Sequence, residues 1–351
     1  MRIVTASDID HALDPAALID ALDAAFRADI TVPMRHHHTI PQPGADGTML
    51  IMPAWTGVGQ DPEKREAVFR KDHAQNKEAA RDARFIGCKI ATILPDNAKL
   101  GKPSLYGQYL LLSGESGEPL AVIDGRVLTA WRTGAASALA ARYLARKDAK
   151  HLVMIGAGAL APHLIRSHLA VRPIERVTLW NRSRARAIST AFALAASGIE
   201  IDVTDDLQEA VRQADIVSCA TLATEPFLKG DWLKAGTHVD LVGSFTPKMR
   251  EADYRVLTRG LLYVDTRGAL KEAGDLTGPL RRKVIKAADV QGDLFELCRK
   301  TVKGRRTQRE ITVFKSAGTA VEDFAAAVLV WQRLTSEGLA GDRADKAAPA
   351  G

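Results

Sequence analysis

Two glycines separated by a single residue lie between an apolar run and a segment with helical periodicity. The apolar run 151–155 is followed by Gly156-Ala-Gly158 and then by a helical pattern, in a GxGxxA arrangement that ends at Ala161. The first glycine permits a tight turn, the second lets the backbone approach a pyrophosphate, and the alanine allows close packing of helix on strand. GxGxxA alone occurs by chance, but its place between strand and helix predicts a dinucleotide site at a helix N-terminus.

The end of the next apolar strand indicates which dinucleotide fits. NAD sites usually place an Asp or Glu there, about 20 residues beyond the turn, to bind the ribose hydroxyls. This sequence instead has Asn181, Arg182 and Ser183, followed by Arg184. An uncharged amide, a hydroxyl and guanidinium groups suit a 2′-phosphate through charge-assisted hydrogen bonds. We expect NADPH, with NADH possible; the alternative is that these arginines are merely solvated.

One lysine lies within an apolar stretch, where burying a charge is unfavourable. Lys89 falls inside the apolar stretch 85–94, and a buried lysine needs a partner or a function. An ordinary surface cation is the alternative for any single lysine, but the apolar neighbours of Lys89 argue against it.

Composition bounds the class of protein. Of 351 residues, 46% are hydrophobic and 26% charged, as in a globular enzyme, and the net charge of +6 is modest. Basic runs at 281–283 and 303–306 are short, so we expect no nucleic-acid partner. The start has no signal-like apolar region and no run approaches the ~20 apolar residues of a membrane span, so no membrane partner is expected.

The cysteine and histidine patterns carry no metal signature. Cys88, Cys219 and Cys298 show neither metal nor redox spacing, which favours a reducing cytoplasm. His36, His37 and His38 are adjacent, and neighbours in a chain rarely point to one centre. We expect no metal site.

The elements that must position these residues change character at residue 151. Strands alternate with helices from there onward, which predicts an α/β fold with a Rossmann doubly wound parallel sheet. Outside it the sequence predicts one helix over 8–28, strands at 48–52 and ending at 90, a hairpin of 106–112 with 119–123, and a helix over 127–146. A strand at 199–203 is predicted within the alternating region, and a final helix over 319–334. We expect residues 131–314 to form the Rossmann domain, inserted into one discontinuous α+β domain of residues 1–130 plus 315–351.

Several separated segments resemble the ornithine cyclodeaminase/mu-crystallin family. The matching segments span nearly the whole chain and comprise Met34-Arg35, 87–89, 117–125, 129–137, the glycine turn, 242–247 and 314–318. The resemblance implies a homodimer in which the discontinuous domain binds substrate and carries the dimer sheet.

The resemblance also implies the site residues. Arg35 and Lys89 match family positions that hold the carboxylate of a small amino or imino acid, and Arg132 matches one near both carboxylate and cofactor. Lys89 and Arg132 are therefore the expected catalytic residues. The expected cofactor contacts are Ser104, Arg132, Gly156, Gly158, Ala159, Leu160, Asn181, Arg182, Ser183, Thr221, Val242, Gly243, Ser244 and Ser316.

One position departs from the cyclodeaminases. They have an acid/base Asp at the fourth position of a Val-Gly-x-x segment, where this chain has Phe245. Phe245 would make a substrate pocket apolar, as in the family branch that reduces the cyclic ketimines Δ1-pyrroline-2-carboxylate and Δ1-piperideine-2-carboxylate to L-proline and L-pipecolate.

Other readings of the resemblance stay open at this point. One is ornithine or lysine cyclodeamination, or amino-acid dehydrogenation, on the same scaffold; another is a non-enzymatic binding role. The sequence leaves open the ring size and whether solvent or Lys89 supplies the proton.

Overall fold

The computed structural model describes residues 1–57, 84–196 and 198–347, with side chains up to residue 336. The polar stretch 60–84 of the sequence falls almost wholly outside these residues. By internal contacts the chain divides into unit 1, Met1–Arg132 with Ala320–Gly351, and unit 2, Thr133–Thr319. The sequence placed the two boundaries after residues 130 and 314. The contact division thus assigns Arg132 to unit 1 and Ser316 to unit 2.

Unit 1 is built on a mixed sheet that has seven strands in the described part of the chain. The order is β1-β7-β6-β5-β4-β2, and β3 also pairs with β4. Pairing is antiparallel except between β1 and β7. The predicted hairpin is confirmed as β6 and β7. The strands are β1 (Arg2–Val4), β2 (Ile30–Thr31), β3 (His36–Ile40), β4 (Gly47–Thr56), β5 (Phe85–Ile93), β6 (Leu105–Ser113) and β7 (Pro119–Asp124).

Two helices replace the single helix expected over 8–28. They are α1 (Ala6–Ala12) and α2 (Pro15–Arg27). The Asp14 carboxylate caps the second helix by accepting a hydrogen bond from the Ala17 N–H at 2.9 Å, and Pro15 occupies its first position, where a missing N–H is harmless. This cap and proline start a new helix, so the prediction of one continuous helix is wrong.

One long helix follows this sheet in the chain, and another packs against the sheet. Helix α3 (Gly125–Leu144) follows β7, and helix α11 (Ala320–Ala347) packs against β4, β5, β6 and α2. The end expected near residue 334 is wrong, since α11 continues to Ala347. Within the described ranges, no helix combines the length and apolar character that crossing a bilayer requires.

The two faces of this sheet differ because side chains alternate along each strand. In register, Lys89 of β5 lies opposite Met52 of β4 and Tyr109 of β6, and all three are buried. Ile86 and Ile90, on the other face, are 37% and 43% exposed. The lysine thus points to the covered face of the sheet.

Unit 2 carries the predicted parallel sheet, with the order β10-β9-β8-β11-β12-β15-β13-β14. The strand expected at 199–203 forms only at Asp202–Val203, and β14 was not predicted. The strands are β8 (His151–Ile155), β9 (Arg176–Trp180), β10 (Asp202–Val203), β11 (Ile216–Cys219), β12 (His238–Leu241), β13 (Leu261–Val264), β14 (Val290–Asp293) and β15 (Thr312–Lys315). The helices are α4 (Ala161–Val171), α5 (Arg184–Ala195), α6 (Leu207–Gln213), α7 (Tyr254–Arg259), α8 (Ala269–Glu272), α9 (Gly274–Arg281) and α10 (Leu294–Cys298). Short 3-10 turns lie at Pro95–Leu100, Gly230–Trp232 and Ala287–Asp289.

The strand order determines where a ligand can bind unit 2. All pairs are parallel, so the carboxyl ends of β8, β9, β11 and β12 lie along one edge of the sheet. The order reverses between β8 and β11, and ligands of such sheets bind at this switch point, outside the carboxyl ends of the strands.

Candidate active site

Lys89 is held by a carboxylate that lies far from it in the sequence. Its side chain is 5% exposed, and its Nζ lies 2.7 Å from Asp323 Oδ2, in the first turn of α11. Burial lowers the pKa of Lys89 to about 8; Asp323 opposes this shift and Arg132 adds to it. An ammonium with a pKa near neutrality can hold a proton and also release it.

The same carboxylate binds Arg132. Arg132 Nε lies 3.0 Å from Asp323 Oδ1, and Nη1 lies 2.5 Å from Glu322 Oε2. Burial alone would raise the pKa of Asp323, but Arg132 and Lys89 outweigh it and hold the pKa below its usual value. Arg35 is half-buried and near enough to lower the pKa of both Asp323 and Lys89. The cluster therefore unites three cations and two carboxylates, an excess of positive charge that suits an anionic substrate.

Sequence reasoning missed Asp323 and Glu322. Both are fully buried in the helix segment 320–330, which is otherwise apolar. Charge in an apolar run needs a partner, and this holds for Glu322 and Asp323 as it does for Lys89. Their place in the first helical turn also favours negative charge.

Tyr109 is a third residue that the sequence did not reveal. Its ring is fully buried, and among the described residues its hydroxyl has no hydrogen-bond partner. A Cβ at position 87 would stand 2.0 Å from that hydroxyl, so Gly87 leaves the space that the phenol fills. Burial, then the charge of Asp323, raises the pKa of Tyr109 well above its ordinary value. Tyr109 therefore stays protonated and can donate a hydrogen bond.

The glycine turn of unit 2 has room for a phosphate. Gly156 has φ +108°, and a Cβ there would stand 2.5 Å from the Ala220 carbonyl oxygen. Gly158 is exposed and has no heavy atom within 4 Å of the position its Cβ would take. Behind it, the N-cap residue Leu160 offers α4 no side-chain cap, so its side chain does not neutralise the positive end of the helix dipole. Ala159 is exposed between Gly158 and this helix start. This arrangement fits a dinucleotide pyrophosphate.

The loop after β9 is tied to this turn by Asn181. Its Oδ1 accepts from the Ala157 N–H at 3.2 Å, and its Nδ2 donates to the Ser183 carbonyl at 2.9 Å. Arg182 and Ser183 are exposed, and the Ser183 hydroxyl does not cap α5. Arg184 is engaged with Asp205. Arg182 and Ser183 are the groups of this loop best placed for a ligand.

The loops after β11 and β12 are joined by Glu251, which the sequence did not indicate. Its Oε1 accepts from the Thr221 N–H at 2.7 Å and from the Thr221 hydroxyl at 2.8 Å, and its Oε2 accepts from the Gly243 N–H at 2.8 Å. Thr221 was expected to offer a small polar group to a cofactor. Its hydroxyl is instead directed into the protein. The Ser244 hydroxyl is likewise occupied, since it donates to the Met249 carbonyl at 2.7 Å.

The other expected site residues lie at several places. Val242 is buried directly after β12, and Phe245, two residues past Gly243, is 36% exposed. Ser316 follows β15, and the Asp265 carboxylate fixes its turn by accepting the N–H groups of Ala317 and Gly318, both at 2.6 Å. Ser104 belongs to unit 1 and accepts from the Leu94 N–H at 2.8 Å through its carbonyl.

The three adjacent histidines lie on β3. The rings of His36 and His38 stack at 6.2 Å, while His37 points to the other face, as alternation requires. In the described part of the chain, no three His, Cys, Asp or Glu side chains are grouped to hold a metal ion.

Several known proteins are similar in sequence to this chain over most of its length. Protein SAR DEFICIENT 4 of Arabidopsis thaliana is 39% identical over 312 residues, 88% of this chain and 88% of the relative. A Delta(1)-pyrroline-2-carboxylate reductase of Paracoccus denitrificans (strain Pd 1222) is 37% identical over 312 residues, 88% of this chain and 93% of the relative.

Solved structures share the whole architecture. A Delta(1)-pyrroline-2-carboxylate reductase of Thermococcus litoralis, in complex with NADH and L-proline, has a TM-score of 0.84 and 31% identity, covering 96% of this chain and 98% of that one. An archaeal alanine dehydrogenase dimer with bound NAD has a TM-score of 0.81 and 26% identity, covering 96% of both chains. The family model of ornithine cyclodeaminase/mu-crystallin matches residues 60–338. With this match and these relatives, the chain belongs to the ornithine cyclodeaminase/mu-crystallin family.

Proposed function

We propose that this protein reduces Δ1-pyrroline-2-carboxylate to L-proline, and the six-membered Δ1-piperideine-2-carboxylate to L-pipecolate, with a nicotinamide dinucleotide. The observation that carries the proposal is the buried cluster of Lys89, Arg132 and Asp323 beside Arg35, which suits a small carboxylate. The reductase of Paracoccus denitrificans and the Thermococcus litoralis complex with NADH and L-proline support it.

The chemistry needs a hydride at C2 and a proton at the ring nitrogen. The bound nicotinamide supplies the hydride. Arg132 and Arg35 bind the substrate carboxylate, and the planar guanidinium of Arg132 orients it. The Lys89 ammonium, with its pKa near 8, gives a proton to the ring nitrogen and then regains one from solvent. Asp323 holds Lys89 and Arg132 in place for both tasks.

Phe245 supports a ring that is already closed. Deamination of ornithine needs a group that carries protons to and from the substrate amines, and a phenyl ring cannot do so. An apolar side chain instead favours the carbon face of a cyclic imine.

An absorbance assay tests this function. Purified protein is mixed with Δ1-pyrroline-2-carboxylate and either NADPH or NADH, and loss of the reduced cofactor is followed while L-proline is quantified. We expect equal consumption of cofactor and formation of L-proline. Release of ammonia from ornithine without cofactor consumption would identify a cyclodeaminase and overturn the proposal.

We propose that NADPH is preferred over NADH. In support, the second strand ends without an acidic residue, Arg182 and Ser183 are exposed, and the Ser183 hydroxyl leaves the start of α5 uncapped. A 2′-phosphate placed there would gain a charge-assisted bond and the favourable end of the helix dipole.

Replacing Arg182 with alanine tests this preference. A lost hydrogen bond to a charged group should raise KM for NADPH about tenfold and leave KM for NADH nearly unchanged. Arg186 is also exposed, on the helix α5 that follows this loop, so Arg186→Ala is the matched control and should change neither value. Equal rises in KM for both cofactors in the Arg182 variant would contradict a 2′-phosphate site.

We propose a homodimer formed through the open face of the sheet of unit 1. Trp55, Ile86, Ile90 and Tyr106 lie on this face and are 37–46% exposed in the described chain. An apolar sheet face of this kind is typical of a protein interface. The archaeal alanine dehydrogenase with the same architecture is a dimer.

Ile86→Glu should shift the sedimentation coefficient from that of a dimer toward that of a monomer, because the carboxylate would be desolvated at the interface. Ile188→Glu, a change at a 50% exposed isoleucine of unit 2, is the control and should not alter sedimentation. A dimer unaffected by the Ile86 substitution would place the interface elsewhere.

We also propose a cytoplasmic location. Among the described residues, Cys88, Cys219 and Cys298 form no disulfide bond, and the last two are buried. Unpaired cysteines suit a reducing compartment.

A further inference from the structure

Glu251 has a fully buried carboxylate. Its hydrogen bonds all go to the loops at the carboxyl ends of the unit 2 strands, which we call the ligand edge. Its two oxygens accept three hydrogen bonds, two from Thr221 and one from Gly243. Its own backbone is held as well, since its N–H donates to Asp275 Oδ1 at 2.9 Å and its carbonyl accepts from the Leu228 N–H at 3.0 Å. The carboxylate is therefore a rigid anchor rather than a mobile side chain.

The Thr221 segment that it anchors is in direct contact both with Gly243 and with the glycine turn. A Cβ at Gly243 would stand 2.0 Å from the Thr221 carbonyl oxygen and 2.5 Å from Glu251 Oε1. A Cβ at Gly156 would stand 3.2 Å from the Thr221 Cγ2 methyl and 2.5 Å from the Ala220 carbonyl oxygen. With no spare room between them, a shift of the Thr221 segment is passed on to the turn.

We propose that Glu251 is a positioning residue for the dinucleotide. Its three bonds lock the Thr221 and Gly243 segments against the glycine turn, and they direct the Thr221 hydroxyl inward so that the methyl faces Gly156. The identity of the ligand rests on the proposed function, whereas the anchoring geometry does not.

The charges around Glu251 make the anchor sensitive to protonation. Lys315 of β15, Asp275 of α9 and Cys219 of β11 lie close to Glu251, and Asp240 of β12 lies close to the same Cys219. Burial raises the pKa of Glu251 to about 7; Lys315 opposes this and Asp275 adds to it. The anionic form, present above that pH, can accept all three bonds. If one carboxyl oxygen of Glu251 were protonated, its O–H would face the N–H and O–H groups that the carboxylate otherwise accepts from, and donors do not bond to one another.

Fluorescence titration with NADH tests the anchor. At a pH of about 8, Glu251→Gln should raise the NADH Kd about tenfold, since its amide offers only one accepting oxygen to three donors. Thr221→Val should also raise Kd, and the double variant should bind no more weakly than Glu251→Gln alone, because the Thr221 hydroxyl belongs to the network that Glu251→Gln already disrupts. The wild-type Kd should rise as the pH falls through about 7, and that of Glu251→Gln should not.

Asp253→Ala separates positioning from stability. Asp253 caps α7 and accepts the Gly230 N–H, so its loss should lower Tm without changing the NADH Kd. A folded Glu251→Gln protein with the wild-type Kd would overturn the positioning role, as would an equal loss of binding in Asp253→Ala. A wild-type protein that bound neither NADH nor NADPH would overturn the proposed function instead.

Discussion

Replacing Lys89 with methionine should lower kcat/KM for Δ1-pyrroline-2-carboxylate by about 10²–10⁴ while the protein remains folded. Methionine has a similar length and suits the buried position, but it can neither bind a carboxylate nor donate a proton. The loss should appear mainly in kcat if Lys89 gives its proton in the transition state.

The dependence of kcat/KM on pH tests the role of Lys89 without any substitution. The active form carries the ammonium, and burial sets the pKa of Lys89 at about 8. Wild-type kcat/KM should therefore fall as the pH rises above that value.

An exposed lysine supplies the control for Lys89. Lys99 is 74% exposed and pairs with Asp96 at 2.7 Å, so Lys99→Met removes a lysine ion pair of similar length outside the core. It should leave kcat/KM unchanged. Wild-type kcat/KM in Lys89→Met, with circular dichroism showing a native fold, would mean that the site has been wrongly identified.

Replacing Asp323 with alanine should lower the free energy of unfolding by about 3–5 kcal/mol. Both Lys89 and Arg132 would remain buried without the carboxylate that each of them contacts. The same change should remove most activity, because neither cation would be held in the geometry that a bound carboxylate needs. Urea denaturation and the reductase assay measure the two effects.

The control for Asp323 is an exposed ion pair of similar length. Asp231 lies 2.9 Å from Arg255, with both side chains more than half exposed, so Asp231→Ala should cost less than about 1 kcal/mol. Lys89→Met combined with Asp323→Leu should recover part of the lost stability. Replacing both members of a buried ion pair with apolar groups leaves no unpaired charge, whereas removing one member does. Equal losses in Asp323→Ala and Asp231→Ala would contradict a buried charge cluster.

Local patterns were enough to predict the parallel sheet and the strand-turn-helix around Gly156. Each of these depends on residues within a few positions of one another: apolar strands, helical periodicity and a glycine where φ must be positive. The break between α1 and α2 was also a local signal, an Asp–Pro pair at 14–15 that the helical periodicity concealed.

The partners of the charged residues were decided by the tertiary structure alone. Arg132 and Asp323 are 191 positions apart, and Lys89 meets the same carboxylate because α11 packs across β5. Sequence patterns indicated that Lys89 needed a partner, but not which carboxylate would reach it. Chain separation carries no information about such contacts until the sheet and helix are packed.

The ligand edge of unit 2 shows the same division. The sequence by itself determined that a dinucleotide turn follows β8 and that its loops hold Thr221 and Gly243. Only the folded chain decided that the Thr221 hydroxyl donates to Glu251, which lies 30 positions further along the chain. A hydroxyl turns toward whichever acceptor it meets, and a buried carboxylate that needs donors is the stronger acceptor.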